Sequence, residues 1–398
     1  MVKSLKQSSL IKLVRGYKIP VLIVVVVVGL MLRFAAAAHG HNYDYESFRI
    51  VARIMREGGN VYAETSRYNY GPVWMYIVSA LDRMSFLFTD PDLFFRFLLA
   101  GFLSLVDLGI MWILLKRFGT LAGILFFLSP ISIIITGFHS QFDNLAILVG
   151  LISVLMLSGD SLKTTGRRFW VGLVLLGLSL TIKHILIFYP FWLAIKSKDP
   201  KIRVAAIAIP LGVFAVSFLP FLPVGYSGIR ENVLIYVSVK NAPLLNYMMP
   251  AFLSALIPAG FFWLLALGLF GLKFRKKELV RHLLLYLSVF LIFSPSVLHH
   301  YLAIVVAPIA VFPNLFYGAY TLLSTYLLSL DNLGMNISAF IDTAPQFLLY
   351  KYVSNNVYHL PILLLFWGLI WFSFKKEIKT LIRTPAKWFE REITHLRS

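Results

Sequence analysis

Residues able to do chemistry occur in five short polar stretches set between apolar runs. The first, HGHNYDYESF (39–48), puts His39, His41, Asp44 and Glu46 directly after the apolar run IPVLIVVVVVGLMLRFAAAA (19–38). A carboxylate held beside a lipid surface can serve as a general base, worth about 10²–10⁴-fold in rate. The competing reading is a solvated loop pair. The i, i+2 spacing does not require both carboxylates to face one side, and Asp44, nearer the membrane end, is the better base. His39 and His41 could hold a metal with Asp44. H-x-H alone is a weak ligand pattern, and interfacial histidines satisfied by water or lipid head groups are the stronger reading. No metal or other cofactor is therefore expected.

GFHSQFDN (137–144) sits at a tight turn between two apolar spans. Ser140 or Asp143 could cap the incoming helix. Capping alone needs no histidine, glutamine and asparagine together, so His139, Gln141 and Asp143 are read as lining a polar cavity. Lys183 and His184 interrupt an apolar hairpin with no acidic neighbour in sequence. That lysine could snorkel to the interface or neutralise a phosphate whose lipid tail lies in the bilayer. Arg230 and Lys240, in the segment 223–250, could do the same, since a guanidinium suits bidentate phosphate binding. His299–His300, at the end of SPSVLHHY, completes the set.

The elements that must position these groups are membrane helices. The chain is 59% hydrophobic and 14% charged, and stretches of the roughly 20 apolar residues needed for a crossing recur along it. The expected fold class is therefore an all-α polytopic membrane protein, residues 1–398 forming one membrane domain. There is no cysteine, which excludes disulfides, thiolate chemistry and cysteine metal sites. The net charge of +19 is distributed between spans: Lys3 to Lys18, Lys116–Arg117, Lys163 with Arg167–Arg168, Lys196 to Arg203, Lys273 to Arg281, and the tail from Lys375. Short basic loops are the positive-inside signal and can attract anionic membrane lipids; no nucleic-acid partner is expected. The first span, lacking a small-residue cleavage site before a soluble domain, reads as a retained anchor.

With the N-terminus inside, residues 39–92 become one long external loop, and 68–84 (YNYGPVWMYIVSALDRM) is amphipathic enough to lie in the interface. A full crossing there is the alternative. One span is expected over 118–137, and 169–195 has basic loops on both sides, so it makes two passes with Lys183–His184 near the tip. A span over about 203–222 leads to an external segment 223–250, and the tail 375–398 is cytoplasmic. All five polar stretches then face away from the cytoplasm. No G-x-G-x-x-G or G-x-x-x-x-G-K-[ST] pattern supports a nucleotide site.

These stretches resemble the GT-C superfamily of integral-membrane glycosyltransferases, most nearly the endoplasmic-reticulum glucosyltransferases that use dolichyl-phosphate-glucose. DYESFRIVARIM (44–55) resembles their DYEAQRHWMEI-type stretch, YNYGPVWMY (68–76) their DYPPLTAY-type stretch, GFHSQFDN their GHFQYN signature, and TIKHILIFYPFW (181–192) their FKQMALYYAP segment. Order and spacing match over roughly residues 20–200; SPSVLHHYLAIVVAP (294–308) looks more like polyprenyl-phosphate-mannose-dependent members. The sequence departs in having one proline for YPP, Asp143 for tyrosine and His184 for glutamine, which leaves glucose and mannose both open. The resemblance implies a GT-C-type fold with about 10–12 transmembrane helices and a large first external loop. It implies Asp44 as catalytic base, with Glu46, His139, Gln141, Asp143, Lys183, His184, Arg230, Lys240, His299 and His300 around the substrates. It also implies chemistry without a metal.

The expected activity is inverting transfer of glucose or mannose from a polyprenyl- or dolichyl-phosphate donor to a lipid-linked glycan or other glycoconjugate. A site facing away from the cytoplasm has no nucleotide sugar, so a lipid must carry the donor across. The expected location is an archaeal or bacterial plasma membrane, with the endoplasmic reticulum as alternative. A transporter or flippase remains the rival, although the sequence has no evident internal repeat, and a membrane scaffold is a third reading. The sequon Asn336-Ile337-Ser338 falls in an expected external segment.

Overall fold

The structure, a computed structural model, describes residues 2–159, 165–236, 239–250, 252, 256–330, 335, 337 and 358–374, with side chains from Ile19 onward. Asn336 of the sequon and the tail 375–398 lie outside the described residues. Among the described residues every regular element is helical. Ile19–His39, Pro91–Phe118 and Pro200–Leu234 are each apolar and long enough to cross a membrane, and seven shorter apolar helices accompany them. These features fit the expected all-α membrane protein.

Helix α1 (Val2–His39) carries the first apolar run. The expected loop after it contains three helices: α2 (Tyr43–Arg56), α3 (Val61–Glu64) and α4 (Pro72–Ser85). At 14 residues, α4 is shorter than the roughly 20 that a crossing needs, which disfavours the full-crossing alternative for 68–84. Helix α2 is amphipathic, burying Tyr45, Phe48, Val51, Ala52 and Ile54. Its charged side ties it to its neighbours: Arg49 pairs with Asp82 on α4 and with Asp92, while Arg56 also reaches Asp82. Gly71, just before α4, lies against the end of a later helix. A Cβ there would sit 2.1 Å from the Thr181 carbonyl oxygen, so only glycine admits this approach.

Helix α5 (Pro91–Phe118) runs as expected. The single span expected over 118–137 is instead two helices, α6 (Thr120–Phe127) and α7 (Pro130–Gly137), bent by 47°. Pro130 lacks an amide to continue the first helix, and it starts the second where that amide is not needed. Helices α8 (Asp143–Met156) and α9 (Arg167–Ile182) follow. Lys183 then breaks the helix in an extended conformation, and a 3₁₀ turn (His184–Leu186) leads into α10 (Tyr189–Lys196). The chain reverses there: Lys183 meets Asp143, whereas Lys196 donates to the carbonyls of Arg275 and Lys277. The expected hairpin with Lys183 at its tip is present. The same device recurs after the helix Leu279–Ile292, where a 3₁₀ turn (His299–Ala303) precedes Val306–Val311.

Helix α11 (Pro200–Val216) differs from the expectation of a span ending near 222. Helical turns continue through α12 (Leu222–Ile229) to a π turn, Arg230–Leu234. Pro220 and Pro223 each lie within the first two positions of a new helical segment, where the missing amide costs nothing. The basic loops meet one another away from the polar tips: Arg281 lies over Phe118, and Lys273 and Lys277 lie over Phe374 and Phe372.

Candidate active site

Asn42 organises the corner between α1 and α2. Its backbone is extended, and its Oδ1 accepts from the Asp44 amide 3.1 Å away, capping α2. Its Nδ2 donates to Asp44 Oδ2 at 3.0 Å and lies 2.7 Å from His139 Nδ1. Burial, and next His299, push His139 well below the usual imidazole range. The ring is therefore neutral and can accept from Asn42 at Nδ1. The proton then sits on Nε2, which is buried with no hydrogen-bond partner among the described residues.

Gln141 is the second donor to Asp44, from Nε2 to Oδ2 at 2.6 Å. Its own Oε1 accepts from Lys183 Nζ at 3.3 Å, and Lys183 pairs with Asp143 Oδ2 at 2.7 Å. Asp143 thus opens α8 but makes no side-chain cap there; its carboxylate is used on Lys183. The ammonium also lies 5.0 Å from the ring centroids of Tyr70 and Phe142 and 5.7 Å from that of Tyr301. Behind it, Phe142 stacks on Trp74 at 4.0 Å, forming an aromatic floor. Ser140, between His139 and Gln141, has φ +54, a left-handed conformation that L-residues avoid. That sharp turn points the two flanking side chains into one cluster.

The second histidine-bearing turn closes over the first. The rings of His139 and His299 are 4.8 Å apart, and His299 and His300 5.1 Å apart. A clip holds this turn in place: Asn241 Nδ2 donates to the Val297 carbonyl, Val297 N donates to Asn241 Oδ1, and Ala242 N donates to the Pro295 carbonyl. Ligand atoms of Asp44, His299 and His300 all lie within 4.8 Å of one another. Half-buried Asp44 faces a cavity of about 240 Å³, lined also by Arg67, Tyr70, Tyr236, His300 and Tyr301. Arg67 lies over the Tyr43 ring at 3.8 Å and donates to Ser47 Oγ and the Tyr43 carbonyl.

Of the residues singled out in the sequence, Asp44, His139, Gln141, Asp143, Lys183, His299 and His300 form this cluster. Glu46 does not: it is exposed and its partner is His41, 3.6 Å away. On a helix the i, i+2 positions lie about 200° apart, so Asp44 and Glu46 face opposite sides. His39 bonds to the Met335 carbonyl at 2.8 Å, and neither His39 nor His41 joins Asp44 in the three-residue ligand group. His184 turns elsewhere from the start of its 3₁₀ turn, and its buried Nδ1 has no hydrogen-bond partner among the described residues. Arg230 and Lys240 are exposed, and neither side chain bonds to another described residue. Asn42, Arg67, Tyr70, Tyr236 and Tyr301 are additions from the structure. Asn42 has a local signal, an amide two residues before the helix amide it caps; Tyr70 and Tyr301 lie within the stretches YNYGPVWMY and SPSVLHHY, while Arg67 and Tyr236 have none. Comparison with protein families, with curated proteins and with solved structures gives no match.

Proposed function

We propose that the protein is an inverting hexosyltransferase of the GT-C type, embedded in a membrane. It moves glucose or mannose from a polyprenyl- or dolichyl-phosphate donor to a lipid-linked glycan or other glycoconjugate. One observation carries this reading: Asp44 is a half-buried carboxylate, fixed at Oδ2 by two side-chain amides, beside an aromatic cavity that also holds an arginine. Oδ1 has no described hydrogen-bond donor and is the base. It takes the proton of an acceptor hydroxyl as that oxygen attacks the anomeric carbon. The carbon–oxygen bond to the lipid phosphate breaks, the phosphate leaves with the electron pair, and the configuration inverts.

The phosphate falls to Arg67, whose planar fork suits it, in place of Lys183, which is 4% exposed and already paired. Lys183 and Asp143 become positioning residues that hold Gln141 against Asp44. Tyr70, Tyr236 and Tyr301 offer faces and hydroxyls to a sugar ring. In this reading the site end of the bundle faces away from the cytoplasm and the basic loops face it, as the positive-inside rule requires.

A transporter would need polar groups along a path, whereas these gather at one set of tips. Purified protein incubated with radiolabelled polyprenyl-phosphate hexoses and a lipid extract tests the choice. Label transferred by the wild type and lost in Asp44→Asn is expected. Counterflow of intact donor without transfer would overturn the reading in favour of transport.

A further inference from the structure

At the end of the bundle where the basic loops meet, α10, α11 and the helix Ala259–Phe274 leave a cleft of about 450 Å³. That volume falls in the range of about 300–1,000 Å³ typical of ligand sites. Phe191, Ile195, Ile207 and Leu272 give it an apolar wall, and Phe191 and Leu272 are exposed. Arg203 and Arg275 are its charged lining residues. We propose that this cleft binds one anionic phospholipid, its phosphate bridged by Arg203 and Arg275 and an acyl chain laid along the apolar wall.

The two arginines are placed by the fold and left without an anion. Arg203 Nε donates to the Ser197 carbonyl at 2.7 Å, which fixes the guanidinium and leaves its outer nitrogens to a ligand. Arg275 follows the helix Ala259–Phe274 directly, and Lys196 Nζ holds its carbonyl at 2.7 Å, tying that loop to the end of α10. The nearest acids in sequence are engaged elsewhere. Asp199 accepts from the Lys201 amide and caps α11, and Glu278 accepts from the Arg281 amide and caps the following helix. Neither lines the cleft, and among the described residues no ion pair joins a carboxylate to Arg203 or Arg275.

The chemistry of the lining selects the occupant. A free anion would use the arginines and leave the apolar wall uncovered. A neutral hydrocarbon would cover the wall and leave two guanidiniums unpaired. A phospholipid satisfies both, since a guanidinium fork matches phosphate oxygens and basic pockets between membrane helices suit anionic head groups. Bound there, one molecule links three helices and stabilises the folded chain by mass action. The site lies at the opposite end of the bundle from Asp44 and does not depend on the transferase reading.

The test uses the full chain, delipidated in neutral detergent and titrated with dioleoyl phosphatidylglycerol or dioleoyl phosphatidylcholine. Native mass spectrometry counts bound lipid, and thermal unfolding reports its effect. Saturable binding of one phosphatidylglycerol per chain, roughly tenfold or more tighter than phosphatidylcholine, is expected, with a raised unfolding temperature. Arg203→Gln and Arg275→Gln should each weaken it by about tenfold or more, as loss of a charge-assisted hydrogen bond implies. Lys201→Gln removes an exposed charge on α11 outside the cleft and should change it little. Equal losses in all three variants would mean diffuse attraction to a basic surface and overturn the site. Ile207→Trp fills the wall while keeping both arginines and should expel the lipid; undiminished binding there overturns the acyl-chain half of the proposal. Inorganic phosphate that stabilises the protein as well as phosphatidylglycerol does would make this a free-anion site and overturn the lipid. If the variants do not fold, the unaltered chain decides. Preference for one phosphatidylglycerol supports the proposal, and graded or unselective binding overturns it.

Discussion

Two carboxylates in this protein, one buried and one half-buried, are held in opposite ways. Asp107, in the middle of α5, is sealed by five donated hydrogen bonds. Arg33 Nε and Nη2, Ser132 and Thr136 donate to Oδ2, and Asn144 donates to Oδ1. Both members of its ion pair with Arg33 are essentially inaccessible to solvent. Among the described residues Asp44 has two neutral donors on one oxygen and none on the other, with a cavity in front of it. A fully satisfied carboxylate has no lone pair left for a substrate, so Asp107 tethers α1, α5, α7 and α8 together. An under-satisfied one keeps lone pairs free toward the cavity. The difference between the tether and the proposed base is a count of donors.

Substitution can break this contrast. The largest effect expected is on rate: Asp44→Asn should lower transfer by about 10²–10⁴-fold, with thermal unfolding in detergent close to wild type. Asp107→Asn should do the opposite. It leaves Arg33 buried beside a neutral group, which costs about 3–5 kcal/mol of stability, and activity per folded molecule should persist. Arg33→Met with Asp107→Leu should recover much of that stability, because replacing a buried pair with apolar groups is often neutral. If the double variant stays unfolded, the pair does more than tether helices. Gln141→Ala sharpens the comparison from the other side. It removes a hydrogen bond of a kind worth about 1.5–3 kcal/mol with a charged partner, so transfer should fall roughly tenfold to a hundredfold. The smallest effect is at Ser140. Exchange for glycine removes a left-handed strain of about 1–2 kcal/mol against a glycine entropy cost of roughly 0.5–1 kcal/mol. A stability gain of up to about 1 kcal/mol is expected, with some loss of rate as the turn loosens.

Much of the fold was legible because its cues are local. Apolar runs mark the long helices, and Lys183 marks the break in its hairpin; α2 lies in a segment read as external loop. The polar tips were legible for the same reason, since a histidine, glutamine and aspartate between apolar helices need a common environment. The Arg33–Asp107 pair is not legible in this way, although each is a lone charge inside an apolar run and such charges call for partners. Its members are 74 positions apart, and one sequence does not say which charges meet. The resemblance implies Glu46 among the substrate residues with Asp44; because α2 begins at Tyr43, the helical rotation separates them. Arg230 and Lys240 show the converse, since the right residue type in the right segment does not bring a side chain to a site.

The Gln141 bridge has a consequence for where a proton can go. A side-chain amide donates at one end and accepts at the other, but it does not hand a proton across. Between Asp44 and Lys183 it therefore conveys polarity and blocks proton traffic. In the proposed reaction, a proton collected on Asp44 is insulated from the Lys183–Asp143 pair buried behind it. In that reaction it leaves by the open side, past Tyr70 and Arg67, which line the cavity, along the route proposed for the product. Each turnover would then reset the base only when the cavity empties, so product release and deprotonation become one event.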